Sequence, residues 1–215
     1  MLFPFVVSII GMFFLLINAV LFWTSRKNKD FKYKLIAFYL STIFGIEMVC
    51  HYIGFINPFS NHYLSHYVFV VQFILLSVFF YQPFSNRFLK ISILGILLAV
   101  IGVLTIQYAN NPNLYYHFNL LEIGLTTLPL VLYGILFLFK NLKNLHPYFY
   151  FTLGLIFYLS SSSAIFLSGN TEYIIFEKPL FVDIWVFDYL FYLLYQFLVF
   201  REWQFLTGKK EYTVI

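Results

Sequence analysis

The chain has 215 residues, of which 61% are hydrophobic and only 10% charged, with a mean hydropathy of +0.83. A soluble domain carries about 25% charged residues, so the composition excludes an ordinary soluble enzyme and points to one integral membrane domain. The net charge of +4 is spread over short connections, which excludes a continuous nucleic-acid-binding face.

Leu2–Trp23 is the first apolar segment. It lacks a basic leader and a small-residue cleavage site, so it reads as a retained helix and not a removed signal peptide. Lys34–Ile56, Tyr63–Tyr81, Phe88–Tyr108, Tyr115–Phe139, Tyr148–Ser168 and Leu180–Phe200 follow. Each approaches the roughly 20 residues that cross a bilayer. Pro58, Pro83, Pro112, Pro147 and Pro179 punctuate the connections, where proline is expected. Pro129 lies inside the fifth segment and predicts a kink or a locally open backbone there. The expected fold is all-α: an integral membrane bundle of seven transmembrane helices over residues 1–200. A short basic tail, 201–215, follows and is too short for a folded output domain.

Twelve of the thirteen basic residues fall on one side: Arg26, Lys27, Lys29, Lys32, Lys34, Arg87, Lys90, Lys140, Lys143, Arg201, Lys209 and Lys210. Only Lys178 falls on the other. Positive residues stay cytoplasmic, which predicts the N-terminus outside and the C-terminus cytoplasmic.

With that orientation, three carboxylates on three helices share a depth in the outer half. Glu47 lies roughly 13 Å, Glu122 roughly 10 Å and Asp188 roughly 12 Å below the outer helix ends at 1.5 Å per residue. His51, His117 and Asp183 sit above them, with His62 and His66 at the mouth of helix three. A carboxylate at a helix centre costs about 2.5–3.5 kcal/mol, and no lysine or arginine lies in the layer. The acids are therefore protonated, paired with histidine, occupied by a cation, or lining a hydrated pocket. Glu47 and His51 are four residues apart and share a helix face; their plainest reading is a hydrogen-bonded pair. His62 and His66 repeat that spacing. A metal ion is an alternative occupant, with Glu47, His51, His62, His66 and His117 as candidate ligands, but these spacings carry no defined zinc signature. The single cysteine, Cys50, excludes an internal disulfide and a CxxC site.

Other polar residues read as packing. Ser160–Ser163, Asn18, Gln72 and Gln196 are expected to hydrogen-bond between helices. Tyr192 and Gln196 are read as packing residues of helix seven. Trp23, Trp185 and Trp203 suit interfacial belts. No motif of a soluble catalytic domain is present. FYLST at 38–42 and FYLSS at 157–161 suggest a three-plus-one-plus-three parallel repeat, as in some small transporters.

The stretch KNLKNLHPYFYFTLGLIFYLSSSSAIF, with the basic exit REWQFLTGKK after helix seven, resembles the seven-helix sensor regions attached to, or encoded beside, bacterial histidine kinases. The resemblance implies a bacterial inner (cytoplasmic) membrane protein. In that family the last helix continues into a dimerisation segment and a kinase. Here the chain stops, which implies a sensing or accessory subunit that signals through a separate chain. The His, Asp and Ser inventory also resembles in type that of seven-helix zinc-dependent membrane hydrolases, whose site lies on the cytoplasmic side, opposite to the layer here.

The expected function is a sensor or ligand-binding subunit. A small polar or cationic ligand, or a proton, enters an outward-facing pocket of Glu47, His51, Glu122, Asp183 and Asp188. Helix seven passes the change to the Arg201–Lys210 segment. Its partners are the lipid bilayer and either a signalling protein or a second copy of the chain. The alternatives are a small-solute or cation transporter and an intramembrane metal-dependent hydrolase.

Overall fold

The computed structural model describes residues 2–27, 29–56, 63–117, 119–140, 146–175 and 185–208. The side chains of 2–5, 167–175 and 185 lie outside that description, as do His62 and Asp183 entirely. The described chain forms seven α-helices: α1 (Leu2–Thr24), α2 (Phe31–Ile56), α3 (Tyr63–Tyr81), α4 (Arg87–Asn110), α5 (Leu120–Lys140), α6 (Phe149–Ile175) and α7 (Trp185–Gly208). A short 3-10 turn, Pro112–Tyr116, joins α4 to α5. Six of the helices, α1 to α6, are long and apolar enough to cross a membrane. This is a membrane-type, all-helical bundle. The 24 residues of α7 rise about 36 Å, long enough to span, but Asp188, Gln196, Arg201 and Glu202 make it more polar.

Local signals set several helix starts. The Asp30 side chain accepts from the Tyr33 N–H at 3.1 Å, Asn86 from Phe88 at 2.8 Å and Asn119 from Glu122 at 3.4 Å. Each satisfies a donor that the first helical turn leaves without a partner. The Asn119 cap begins α5 at Leu120 and not at Tyr115, so Tyr115 and His117 belong to the connection. Helix α5 runs unbroken through Pro129. The Thr126 hydroxyl bonds the Glu122 carbonyl at 2.7 Å, and that of Thr127 bonds the Ile123 carbonyl.

Helices α1, α2, α3, α5, α6 and α7 pack in that order into a closed ring, and α4 lies outside it against α3 and α5. Exchanging α1–α3 with α5–α7 leaves the order of neighbours unchanged. FYLST and FYLSS sit at similar distances from the starts of α2 and α6, and both place a tyrosine, Tyr39 or Tyr158, among the ring's aromatic residues.

Lipid gives no hydrophobic drive between helices, so close packing and hydrogen bonds hold them together. Gly134 of α5 leaves room for Ile156 of α6, whose Cγ1 would lie 2.8 Å from an added Cβ. Gly154 of α6 does the same for Leu198 of α7. The Asn18 amide donates to the carbonyl and side-chain oxygen of Gln196, both at 2.9 Å. Phe22, Tyr33, Phe79, Phe80 and Phe151 are fully buried and fill the ring toward the basic end.

That end also holds a clamp that the sequence reading placed outside the bundle. Helix α7 does not stop at Phe200, and Glu202 is fully buried. Its carboxylate accepts from the Tyr148, Tyr150 and Phe151 N–H groups at 2.6, 2.8 and 3.2 Å, capping α6 from a neighbouring helix. Tyr148 has φ 74°, a left-handed conformation unusual for a bulky residue. Its hydroxyl donates to Asp30 at 2.5 Å, and burial, aided by the Asp30 carboxylate, holds the phenol well above its ordinary range. Asp30, α6 and α7 are thus tied at one point.

Candidate functional site

At the end opposite the basic residues, the expected single acidic layer divides into two clusters. The first lies between α1, α2, α6 and α7. Glu47 of α2 is half-buried and accepts the Tyr192 hydroxyl of α7 on both oxygens, at 2.9 and 3.1 Å. Asp188 lies one helical turn before Tyr192 and close enough to Glu47 to interact electrostatically. Ser162 of α6 lies beside Asp188 and Tyr158, close enough to act on both. The Asp188 Oδ1 is buried without a partner. Gly11 of α1 makes the arrangement sterically feasible, because an added Cβ would lie 2.8 Å from Cδ1 of Tyr192.

His51 joins this region differently from the expected carboxylate pair. Its Nδ1 bonds the backbone carbonyl of Glu47 at 2.9 Å, and its Nε2 meets the Ser8 hydroxyl of α1 at 2.7 Å. The carbonyl can only accept, so Nδ1 carries the proton, and in the neutral ring Nε2 accepts from Ser8. The Glu47 side chain is left to Tyr192.

The second cluster joins α3, α4 and α5. Glu122 is fully buried, and its Oε2 lies 2.5 Å from His66 Nδ1. It also accepts from the Tyr108 hydroxyl. His66 Nε2 donates to the Tyr115 carbonyl at 3.1 Å, and its ring stacks on that of Tyr115 at 5.6 Å. Asn119 donates to Tyr108 at 3.2 Å. Glu122 Oε1 has no partner. One proton lies between His66 Nδ1 and Glu122, and whichever atom holds it the pair is net neutral. His66 therefore pairs with α5 and not with the Glu47–His51 turn. His117 is exposed, outside both clusters.

Helix α5 does not pack against α2 or α7, and the two clusters share no hydrogen-bond partner. Glu47 and Asp188 converge, while Glu122 belongs elsewhere. The electrostatics differ as well. The Glu122 cluster contains its own base. Among the described residues, the Glu47–Asp188 cluster has two acids, hydroxyl donors and no lysine or arginine in contact with it. Among the described residues, no group of three or more His, Cys, Asp or Glu side chains could hold a metal ion.

The sequence reading missed Tyr192, Tyr158 and Ser162 as partners of the acids, and Tyr108 and Asn119 beside Glu122. One signal was available. Asp188 and Tyr192 are four residues apart, as Glu47 and His51 are, so both share one face of α7. The aromatic cluster continues inward, where Tyr195 stacks on Tyr158 at 5.5 Å and Tyr39 donates to Gln72 at 3.1 Å. No protein-family model matches this chain, and no curated protein or solved structure matches it either.

Proposed function

We propose that this protein is a seven-span membrane sensor or ligand-binding subunit, with its N-terminus outside and its C-terminus in the cytoplasm. Glu47 and Asp188 take up a proton or a small cation, such as an amine, from the outer side. The observation that carries this reading is their approach among hydroxyls with no lysine or arginine beside them among the described residues, Asp188 Oδ1 being left without a partner. Like charges held close together out of bulk water repel each other, so these half-buried acids gain stability when a positive charge enters between them. The orientation is supported by the described basic residues, which cluster at the opposite end.

Helix α7 connects this site to the cytoplasmic side. It carries Asp188 and Tyr192 near one end and the Glu202 clamp near the other. Charge neutralisation at Glu47 and Asp188 relaxes their mutual repulsion and the hold of Tyr192, and α7 transmits the shift to the α6 start and to a partner chain. The site differs from the expected five-residue pocket: Glu122 and His66 form a self-neutral pair that braces α3, α4 and α5.

The transporter reading keeps one observation in its favour, the ring whose neighbour order survives exchange of its halves. The apolar filling of the basic-end half, from Leu40 and Leu76 to Phe79 and Phe151, favours sensing.

The test is a spin label at Thr207 in a Cys50→Ser chain, with a second label at Lys140, reconstituted in lipid. Acidifying the outer side, or adding alkali, divalent or organic cations there, is expected to change the label distance. Glu47→Gln with Asp188→Asn is expected to abolish the change. A distance insensitive to all of these overturns the sensor reading. Cation uptake into vesicles that depends on Glu47 would replace it with transport.

A further inference from the structure

A groove between α1 and α2 runs along the outer surface of the ring and opens at the basic end. Its apolar part, about 440 Å³, is walled by Leu16, Ala19 and Val20 of α1 and Phe44 of α2. Trp23, Thr24 and Phe38 also line an adjoining mouth of about 690 Å³ that contains Arg26, Lys27 and Lys34. Val20, Trp23 and Phe38 are about half exposed, so the groove faces the lipid, away from the Glu47–Asp188 cluster.

Its two parts have opposite chemistry. The hydroxyls along the apolar part are already satisfied within their own helices: Thr24 on Val20, Ser41 on Ala37 and Thr42 on Phe38, at 2.8, 2.9 and 2.9 Å. That part offers a hydrocarbon surface and no free polar group. The mouth offers uncompensated positive charge. The Arg26 guanidinium is held 3.5 Å over the Trp23 ring, and its Nη1 is buried with no acceptor. The side chains of Lys27 and Lys34 make no hydrogen bond or ion pair among the described residues. Other charges of this connection are committed: Lys29 to the Leu206 carbonyl at 2.8 Å, Lys32 over the Tyr148 ring, and Asp30 to Tyr33 and Tyr148.

We propose that this groove is a binding site for one anionic phospholipid. Its phosphate sits at Arg26, Lys27 and Lys34, and one acyl chain lies along Ala19, Val20 and Phe44. Basic pockets between helices at a membrane surface suit anionic headgroups, and the planar guanidinium suits phosphate oxygens in particular. The inference does not depend on the ligand of the Glu47–Asp188 site.

The test uses the full chain in nanodiscs of phosphatidylcholine with a small fraction of phosphatidylglycerol, and counts retained lipids by native mass spectrometry. Wild type is expected to retain one phosphatidylglycerol in preference to phosphatidylcholine. Arg26→Gln with Lys34→Gln is expected to weaken that retention roughly 30-fold, at about 1 kcal/mol for each basic residue near the surface. Arg87→Gln with Lys90→Gln, at the same end but outside the groove, is expected to leave it unchanged. Val20→Trp, which obstructs the apolar part, is expected to reduce retention with the charges intact. Unfolding in pure phosphatidylcholine checks that each variant folds. Equal retention by wild type and the Arg26/Lys34 variant overturns the proposal, and so does equal loss in the Arg87/Lys90 control. If soluble glycerophosphate displaces the lipid at comparable concentration, the mouth is a phosphate site and the lipid assignment fails.

Discussion

Tyr192 on α7 donates its hydroxyl to both carboxylate oxygens of Glu47 on α2, at 2.9 and 3.1 Å, although 145 residues separate them in the chain. This bond joins the two helices that carry the unbalanced acids. Tyr192→Phe keeps the ring and removes the donor. It is expected to lower stability by about 0.5–1.5 kcal/mol, the net contribution of a typical intramolecular hydrogen bond. In a cycle with Glu47→Gln, unfolding in lipid is expected to show a coupling of at least 0.5 kcal/mol, the range for directly bonded groups. Additive losses would remove the bond from the account.

The position of Tyr192 depends on Gly11. Gly11→Ala places a Cβ 2.8 Å from the Tyr192 ring, and overpacking of this kind typically costs about 1–3 kcal/mol. Tyr192→Leu is expected to relieve most of the Gly11→Ala defect. A double variant less stable than either single one in a thermal melt would show that α1 and α7 do not meet in this way.

The two acidic clusters are expected to respond independently. Glu122→Gln breaks a buried pair with His66, which typically costs about 3–5 kcal/mol. Its effect is expected to add to that of Glu47→Gln within about 0.5 kcal/mol, the tolerance for sites without shared partners. A larger coupling in unfolding measurements would restore one continuous acidic layer.

Glu202 is expected to matter for α6 more than for its own helix. Glu202→Ala leaves three N–H groups of the α6 start without their acceptor, and a hydrogen bond to a charged group is worth about 1.5–3 kcal/mol. Hydrogen exchange is expected to rise at Tyr148, Tyr150 and Phe151 before it rises elsewhere in α6. Unchanged protection at these amides would dissociate α7 from the α6 start.

Much of the fold was legible because a bilayer imposes a simple rule. Apolar runs of about 20 residues with polar punctuation mark helices, and α2, α3 and α4 lie within a few residues of their expected limits. The start of α5 was misplaced because Tyr115 is apolar enough to extend the run, whereas the Asn119 cap decides the boundary. The extension of α7 past Phe200 was hidden by the charges of Arg201 and Glu202. Glu202 is inside the bundle because its partners are backbone donors of α6, which leave no trace in side-chain pattern. The depths of Glu47, Glu122 and Asp188 were readable from helix rise. Their division into two clusters depends on helix rotation and on the ring order that puts α5 away from α2 and α7. Asn18, Gln72 and Gln196 were read correctly as interhelical donors or acceptors, since a lone amide in an apolar helix has few other resolutions. Tyr192 was read as packing because, among 18 tyrosines, only its four-residue spacing from Asp188 sets it apart, and that spacing does not show that it reaches Glu47 on another helix.

In the proposed function, Glu47 and Asp188 together accept positive charge from the outer side. Infrared difference spectroscopy of the lipid-reconstituted chain tests it most directly, since carboxylic acid and carboxylate stretches are distinct. Lowering the outer pH, or adding a cation that the site holds, is expected to change those bands in wild type. The change is expected to diminish in Glu47→Gln and in Asp188→Asn, and to vanish in the double variant, while persisting in Glu122→Gln. A wild-type spectrum unchanged by protons and by every cation tried, or a change that survives in the double variant, would contradict the account.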